Sequence, residues 1–384
     1  MKALVLTQVG KLEYKEIPKP EPKEGEVLVK VMACGICGSD IPRAYRDGAH
    51  NMPLVPGHEF SGCVESVGEN VSDEWIGKRV GVFPLIPCKK CGPCMNRQYE
   101  MCRNYGYLGS RQNGGFAEYV TVPQWNLIEL PDSVSYEAAA MLEPMSVAVH
   151  AMSRSMSRSL CNRDGYPVSE MQDAARRGST STKSMLGVDH EKAYIVICGL
   201  GTIGTLIVMF LLDAGYKNIL VIGNKEFQRK TMAGLGIQKD NYCDSGKDNA
   251  YDFVMDRTGG HGADIFFECV GSNSVASLAA NCAAPAGSVC FVGNPHSDMC
   301  FEKNVYWKIL RNQLKIYGTW NSSFLGEGEG DDDWHYVIER IKSGSIHPEE
   351  LITQRYPLEE IIKGFELMRD KKEDYIKVMA SFDI

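Results

Sequence analysis

Short runs in which apolar and polar residues alternate, each closed by turn formers, fill the first third of the chain at residues 27–32, 62–67, 79–83 and 116–122. A period of two over a few residues marks a strand with one buried face, and turn signals spaced this closely predict an antiparallel, barrel-like β domain. From about Ile195 the texture changes. Continuous apolar runs at 195–198, 219–222, 265–268 and 288–292 alternate with stretches of helical period. This βαβ spacing predicts a parallel sheet with helices on both faces. Between the two regions, residues 153–190 are rich in Ser, Arg and Met without sustained period and read as an insertion or linker. After about Trp320 a Gly/Glu/Asp-rich loop at 325–333 leads to two amphipathic helices and a terminal strand. The expected domains are therefore a β domain over 1–152 with a cysteine lobe at about 86–104, the insertion 153–190, an α/β domain over 191–319, and a return to the first domain over 320–384.

Composition narrows the function classes. The 41 Lys+Arg against 49 Asp+Glu leave a net charge of −8, with no basic block of the kind that tracks phosphate backbones, so nucleic acid is not an expected partner. Nor is a membrane. Residues 194–212 contain no charged residue and are long enough to span a bilayer, but Gly199, Gly201 and Gly204 interrupt them, and a strand, turn and buried helix are expected instead. The start, Met1-Lys2-Ala3-Leu4-Val5-Leu6, runs straight into a strand pattern without the layout of a secretion signal, which points to the cytoplasm. In that reducing setting the 14 cysteines read as buried thiols or metal ligands before disulfides.

The strongest chemical signal is Cys88, Cys91, Cys94 and Cys102, spaced C-x2-C-x2-C-x7-C with Gly92 and Pro93 between them. Four thiolates close a tetrahedral zinc shell with no open position, a structural role; an iron–sulfur cluster uses the same thiolate chemistry and stays open as an alternative. A second set is looser: Cys34-Gly35-Ile36-Cys37-Gly38-Ser39-Asp40, then Gly57-His58-Glu59-Phe60, then Leu142-Glu143-Pro144. Thiolate, imidazole and carboxylate from separate segments are what an open catalytic zinc site requires, although buried thiols and a core histidine would account for each piece alone.

The third signal is Gly199-Leu200-Gly201-Thr202-Ile203-Gly204, a G-x-G-x-x-G that follows an apolar strand and opens an apolar helix. Its glycines allow a tight turn and a close approach of backbone to a pyrophosphate seated on the helix N-terminus. The acidic residue expected at the end of the next strand, for the adenosine ribose, is missing: Gly223 stands there, followed by Asn224, Lys225, Glu226 and Arg229. Room and positive charge at that point tilt the cofactor toward NADP over NAD, with Glu226 as the group that would serve NAD.

These residues, in this order, resemble the zinc-dependent medium-chain dehydrogenases of the sorbitol and threonine dehydrogenase branch. The likeness rests on Cys34 to Asp40, Gly57-His58-Glu59, the four-cysteine lobe, Gly114-Gly115-Phe116-Ala117-Glu118-Tyr119, Glu143-Pro144 and the glycine fingerprint. Segments 37–43, 48–50, 109–111 and 308–311 look most like the sugar-phosphate members of the branch. The resemblance implies an α/β fold, a GroES-like β catalytic domain plus a doubly wound Rossmann domain, and two zinc ions per chain. The catalytic zinc would fall on Cys37, His58 and either Glu59 or Glu143, and the structural zinc on the four clustered cysteines. It further implies hydride transfer between NAD(P) and a secondary alcohol of a polyol or sugar phosphate, with threonine or butanediol-type alcohols as the alternative substrates and a non-catalytic nucleotide sensor as the rival class. Ser39, with His50 as a further station, would carry the proton to water. Val270 and Val292, with Thr258-Gly259-Gly260, would line the cofactor, and Arg43, Arg46 and Arg111 would meet an anionic substrate end. A homo-oligomer, dimer or tetramer, is implied by resemblance alone.

Overall fold

Nine strands come first in the chain: β1 (Lys2–Gln8), β2 (Lys11–Glu16), β3 (Glu26–Ile36), β4 (Glu59–Val67), β5 (Arg79–Val82), β6 (Leu85–Ile86), β7 (Gly106–Tyr107), β8 (Tyr119–Pro123) and β9 (Leu127–Glu129). Six parallel strands follow, β10 (Tyr194–Cys198), β11 (Asn218–Gly223), β12 (Tyr242–Asp244), β13 (Ala263–Glu268), β14 (Ala283–Phe291) and β15 (Lys315–Gly318), and then β16 (Ile352–Tyr356) and β17 (Lys377–Ser381) close the chain. The structure, a computed structural model, describes residues 1–156, 189–295, 297–328 and 330–382. Of the expected insertion at 153–190, residues 157–188 lie outside the described residues. Contacts divide the chain into two units, Met1–Ser146 with Asn321–Ile384, and Val147–Trp320.

The first unit is a sheet in the order β16-β17-β3-β4-β5-β9, with β8 also paired to β3. β3 is the long central strand, with all but three of its residues buried. It therefore reads as an apolar run on both faces, whereas β8 alternates buried and half-buried residues. Val27, Val29, Val31, Val64, Val80, Val82, Phe116 and Phe365 meet in its core. The run expected as a strand over 116–122 joins β3 as a strand only at Tyr119, while Ala117 bridges Ala3 of β1. The reason is local: Gly114, Gly115 and Phe116 spend their N–H groups on the carbonyls of Val55, Gly57 and Pro56, which binds this segment to the loop that carries His58. At the C-terminal end, the helices Asp333–Lys342 and Ile361–Asp370 and the strand β17 stand as expected, and β16 lies between them, unforeseen because Thr353 and Arg355 on its open face interrupt an apolar pattern.

The second unit has the order β12-β11-β10-β13-β14-β15, every neighbouring pair parallel. This is the doubly wound arrangement, and the direction of winding reverses between β10 and β13, the place where such sheets bind ligands beyond their strand C-terminal ends. The charge-free stretch expected as strand, turn and buried helix is β10, the glycine turn and the helix Thr202–Asp213, whose residues Gly204 to Leu211 are all buried. Among the described residues no helix is long and apolar enough to cross a membrane.

Candidate active site

The end of β3 and the start of β4 lie antiparallel, with Gly35 opposite Glu59 and Cys34 opposite Phe60. That register brings Cys37, just past the end of β3, beside His58 and Glu59, so that one ligand atom from each lies within 4.8 Å of the others. His58 and Glu59 are buried at 4% and 1% exposure, which makes a casual surface cluster untenable. His58 Nδ1 faces Asp40 Oδ1 at 3.4 Å, which leaves Nε2 as the ring nitrogen for a metal. Such a carboxylate behind a ligating histidine fixes its tautomer and orientation. Burial would raise the Asp40 carboxyl, but the field of His58 and the pair with Arg43 outweigh it and hold Asp40 below the usual carboxylate range. Asp40 in turn accepts the Cys37 N–H at 3.0 Å, and Ser39 Oγ donates to Cys37 Sγ at 3.3 Å.

Two further residues at this site are set there by the fold and only faintly marked in the sequence. Lys377, on β17, is 1% exposed; its Nζ pairs with Glu59 Oε2 and donates to the Ile36 carbonyl at 3.2 Å. Burial would lower the Lys377 pKa, but the Glu59 and Cys37 charges overcome that and raise it, so the ammonium persists. The only hint was a lysine within an apolar terminal run. Tyr107, on β7, is likewise buried: its hydroxyl donates to Glu143 Oε1 at 3.3 Å and its ring packs edge-on to His58 at 5.7 Å. Burial pushes the Glu143 carboxyl up to about 7. Glu143 is thus buried beside the cluster without joining the triangle formed by Cys37, His58 and Glu59. His50 is exposed, in the loop that follows Gly48.

The four-cysteine lobe is a loop clamped at its base by the β6–β7 pair. Pro93 opens the short helix Gly92–Met95, which Cys91 precedes in extended backbone. All four sulfurs lie within 4.8 Å of one another, with Cys91 Sγ 3.4 Å from Cys94 Sγ and 3.9 Å from Cys102 Sγ. A tetrahedral zinc with Zn–S bonds of about 2.3 Å requires sulfurs about 3.8 Å apart, so the set fits one ion. The backbone N–H groups of Arg103 and Cys94 bond to Cys91 and hold its thiol down at about 6, while burial pushes Cys94 up to about 12. The lobe leans on Trp125, which receives the Lys89 ammonium at 4.7 Å and the Tyr99 ring at 5.0 Å.

In the second unit the glycine turn leaves β10 at the reversal point. Gly199 has φ +97°, open to glycine, and a Cβ there would stand 2.6 Å from Val270 Cγ2. A Cβ on Gly204 would stand 2.0 Å from the Gly199 carbonyl oxygen, so the turn through Gly201, Thr202 and Ile203 closes tightly at Gly199 and Gly204, while a Cβ on Gly201 would meet open space. Glu268, a buried carboxylate at the end of β13, takes the N–H groups of Val270 and Gly271 at 2.8 Å each, and its carbonyl takes those of Val292 and Gly293. It thereby sets the loops that hold Val270 and Val292 at the strand C-terminal edge. Thr258-Gly259-Gly260 fall elsewhere. They precede β13 and lie at the opposite, N-terminal edge of the parallel sheet, as a turn after the helix Ala250–Arg257, so they do not line a site beyond the strand ends. Near Gly223, Arg229 is paired with Glu226 through both Nε and Nη2, which diverts the expected cation and the acid of the NAD alternative together.

The comparisons agree with this arrangement. A model of the alcohol dehydrogenase GroES-like domain matches residues 23–132 and one of zinc-binding dehydrogenases matches residues 202–343, more than half of the chain between them. The chain is similar to the galactitol 1-phosphate 5-dehydrogenase of Escherichia coli K12, 29% identical over 358 residues that make up 92% of each protein. It is also similar to the L-threonine 3-dehydrogenase of Bacillus subtilis, 30% identical over 358 residues, 92% of this chain and 91% of that one. A crystal structure of galactitol-1-phosphate dehydrogenase from Escherichia coli matches with a TM-score of 0.83 at 28% identity, covering 99% of this chain and 100% of the other. With its fold, its two donor sets and its glycine turn, the chain belongs to the zinc-dependent medium-chain dehydrogenases, enzymes that oxidise alcohols with a nicotinamide cofactor.

Proposed function

We propose that this chain interconverts a secondary alcohol of a polyol or sugar phosphate and its ketone, with Cys37, His58 and Glu59 holding the catalytic zinc and Cys88, Cys91, Cys94 and Cys102 the structural one. The observation that carries it is the buried triangle of Cys37, His58 and Glu59, in which one ligand is a carboxylate. Zinc bound there supplies Lewis acidity, which lowers the pKa of an alcohol hydroxyl. Asp40 keeps His58 in one tautomer, Lys377 restrains Glu59, and Tyr107 restrains Glu143. Ser39 is half-buried next to Cys37, a position suited to passing the hydroxyl proton toward water. Residues 1–152 and 320–384 would form the catalytic domain and 191–319 the nucleotide domain, working in the cytoplasm.

For the anionic end of a sugar phosphate, the three arginines are not equivalent. Arg43 is engaged by buried Asp40, and Arg46 by Asp47 on the surface. Arg111 instead stacks on Tyr105 at 4.4 Å, and Tyr105 packs on Tyr107 at 6.2 Å, so a series of rings leads from His58 to a guanidinium. Bidentate bonding to phosphate suits such a group. The test is reduced-nicotinamide absorbance with galactitol 1-phosphate, sorbitol, threonine and simple secondary alcohols at equal concentration, in wild type and Arg111→Ala. We expect the phosphorylated polyol to lead by at least tenfold in kcat/KM and to lose that lead in the variant. Preferred turnover of threonine, the substrate named for a relative at 30% identity, would replace this substrate class with an amino alcohol.

The chain is also proposed to be a homo-oligomer. β15 is an edge of the parallel sheet, and Tyr306, Trp307, Leu310 and Ile316, on it and on the helix before it, are 55%, 53%, 49% and 42% exposed. An open edge beside exposed aromatics is a pairing surface that a lone protomer leaves at risk of aggregation. Sedimentation velocity should show a dimer or larger, and Ile316→Lys should shift it to monomer.

A further inference from the structure

Gly223 ends β11 at the point where a carboxylate would meet the adenosine ribose, yet the structure does not leave that place open. A Cβ on Gly223 would stand 2.7 Å from Tyr242 Oη, 2.8 Å from Gln228 Oε1 and 3.0 Å from Leu200 Cδ1. Neither polar neighbour is a loose tip. Gln228 Oε1 accepts the Asn224 N–H at 3.1 Å, and Gln228 Nε2 donates to the carbonyl of Leu200, inside the glycine turn, at 3.2 Å. Tyr242 Oη donates to the Lys225 carbonyl at 3.1 Å, and Ser245 fixes the Gly223 carbonyl through both its N–H and its hydroxyl. The side chain of Gln228 thus ties the glycine turn to the end of β11 from the space that an acidic residue at 223 would need.

We propose that Gln228 is the residue that sets this chain's choice between NAD and NADP: its neutral amide occupies the carboxylate's place, so that the adenosine 2′ position meets a donor and an acceptor instead of a negative charge. The inference rests on the nucleotide site described above and adds the group that reads it. A primary amide has two N–H groups and two lone pairs. One of each is used within the protein, and one of each remains, enough for a ribose hydroxyl or for a 2′-phosphate oxygen. The Gln228 amide itself does not repel the phosphate, whereas a carboxylate in the same place would repel it and bond the ribose hydroxyls.

The consequence is a non-additive pattern that a vacant glycine site would not give. With the purified full-length enzyme, NADH and NADPH affinities are measured by titration calorimetry in wild type, Gln228→Glu, Gly223→Asp and the double variant Gly223→Asp/Gln228→Ala. Gln228→Glu should weaken NADPH at least tenfold more than NADH, because the lost donation to the Leu200 carbonyl falls on both dinucleotides and the new charge on NADPH alone. Gly223→Asp alone should weaken both, because the new side chain must displace Gln228, and the double variant should recover NADH but not NADPH. An unchanged NADH/NADPH ratio in Gln228→Glu, or tighter NADH binding in Gly223→Asp alone, would overturn the role of Gln228 while the nucleotide site stands. Wild-type enzyme that binds neither dinucleotide would overturn the site and the inference together.

Discussion

Glu59 is placed where two demands meet. It offers an oxygen to the triangle with Cys37 and His58, and it faces the buried ammonium of Lys377. A carboxylate this deeply buried needs a partner, and in the metal-free protein removing Lys377 leaves an uncompensated charge at a cost of about 3–5 kcal/mol. Lys377→Met should therefore lower unfolding free energy by about that amount in denaturant titrations, and adding Glu59→Gln should restore more than half of it, because the charge that lacked a partner is gone. Additive losses would show that Lys377 acts by packing alone. The glycine-rich and cysteine-rich segments were legible from sequence because their chemistry is local: Cys88 to Cys102 and Gly199 to Gly204 each sit within one loop. Lys377 was not, since 318 positions separate it from Glu59 and only the pairing of β17 with β3 brings them together. Gln228 escaped for a similar reason. Its role appears only once β11 and the glycine turn are side by side.

At the level of elements, the lobe and the C-terminal strands make separable predictions. Cys91→Ser removes one corner of a closed four-sulfur set, so it should release the lobe's zinc and change the fluorescence of Trp125, on which Lys89 and Tyr99 rest, before global unfolding. Trp125 emission that is unmoved by that substitution would mean that the lobe keeps its shape without metal. The helix Tyr136–Ala140 is tied to the last strands through Glu137, which accepts Arg355 Nε at 2.9 Å and Ser381 Oγ at 2.6 Å. Burial opposes ionisation there, but these bonds outweigh it and bring the Glu137 carboxyl below its ordinary 4.5. A lowered folded pKa gives stability that is present above about pH 4.5 and lost as pH falls through the lower folded value. Glu137→Gln should accordingly cost about 1 kcal/mol at pH 7, kept small because Arg355 is 37% exposed, and should flatten the acid limb of the stability curve. An unchanged acid limb would assign that region's pH response to other groups.

Across the whole chain, each unit's fold follows from patterns of different reach. The parallel sheet was readable because its inner strands are short apolar runs at regular spacing, and the β unit because its strands alternate. What escaped was the edge and the exception: β16 with its polar outer face, and the segment 114–118, whose first three N–H groups bind the loop before His58 and whose Ala117 bridges β1. We propose that the two donor sets hold metal for different purposes, one closed and structural, the other open to substrate. The most direct test is zinc content by mass spectrometry, with turnover and circular dichroism, on wild type and Cys37→Ser. We expect two zinc ions per chain in the wild type, and one, with the fold kept and turnover lost, in the variant. A wild type that holds a single zinc, or a Cys37→Ser enzyme that still oxidises alcohol, would contradict it.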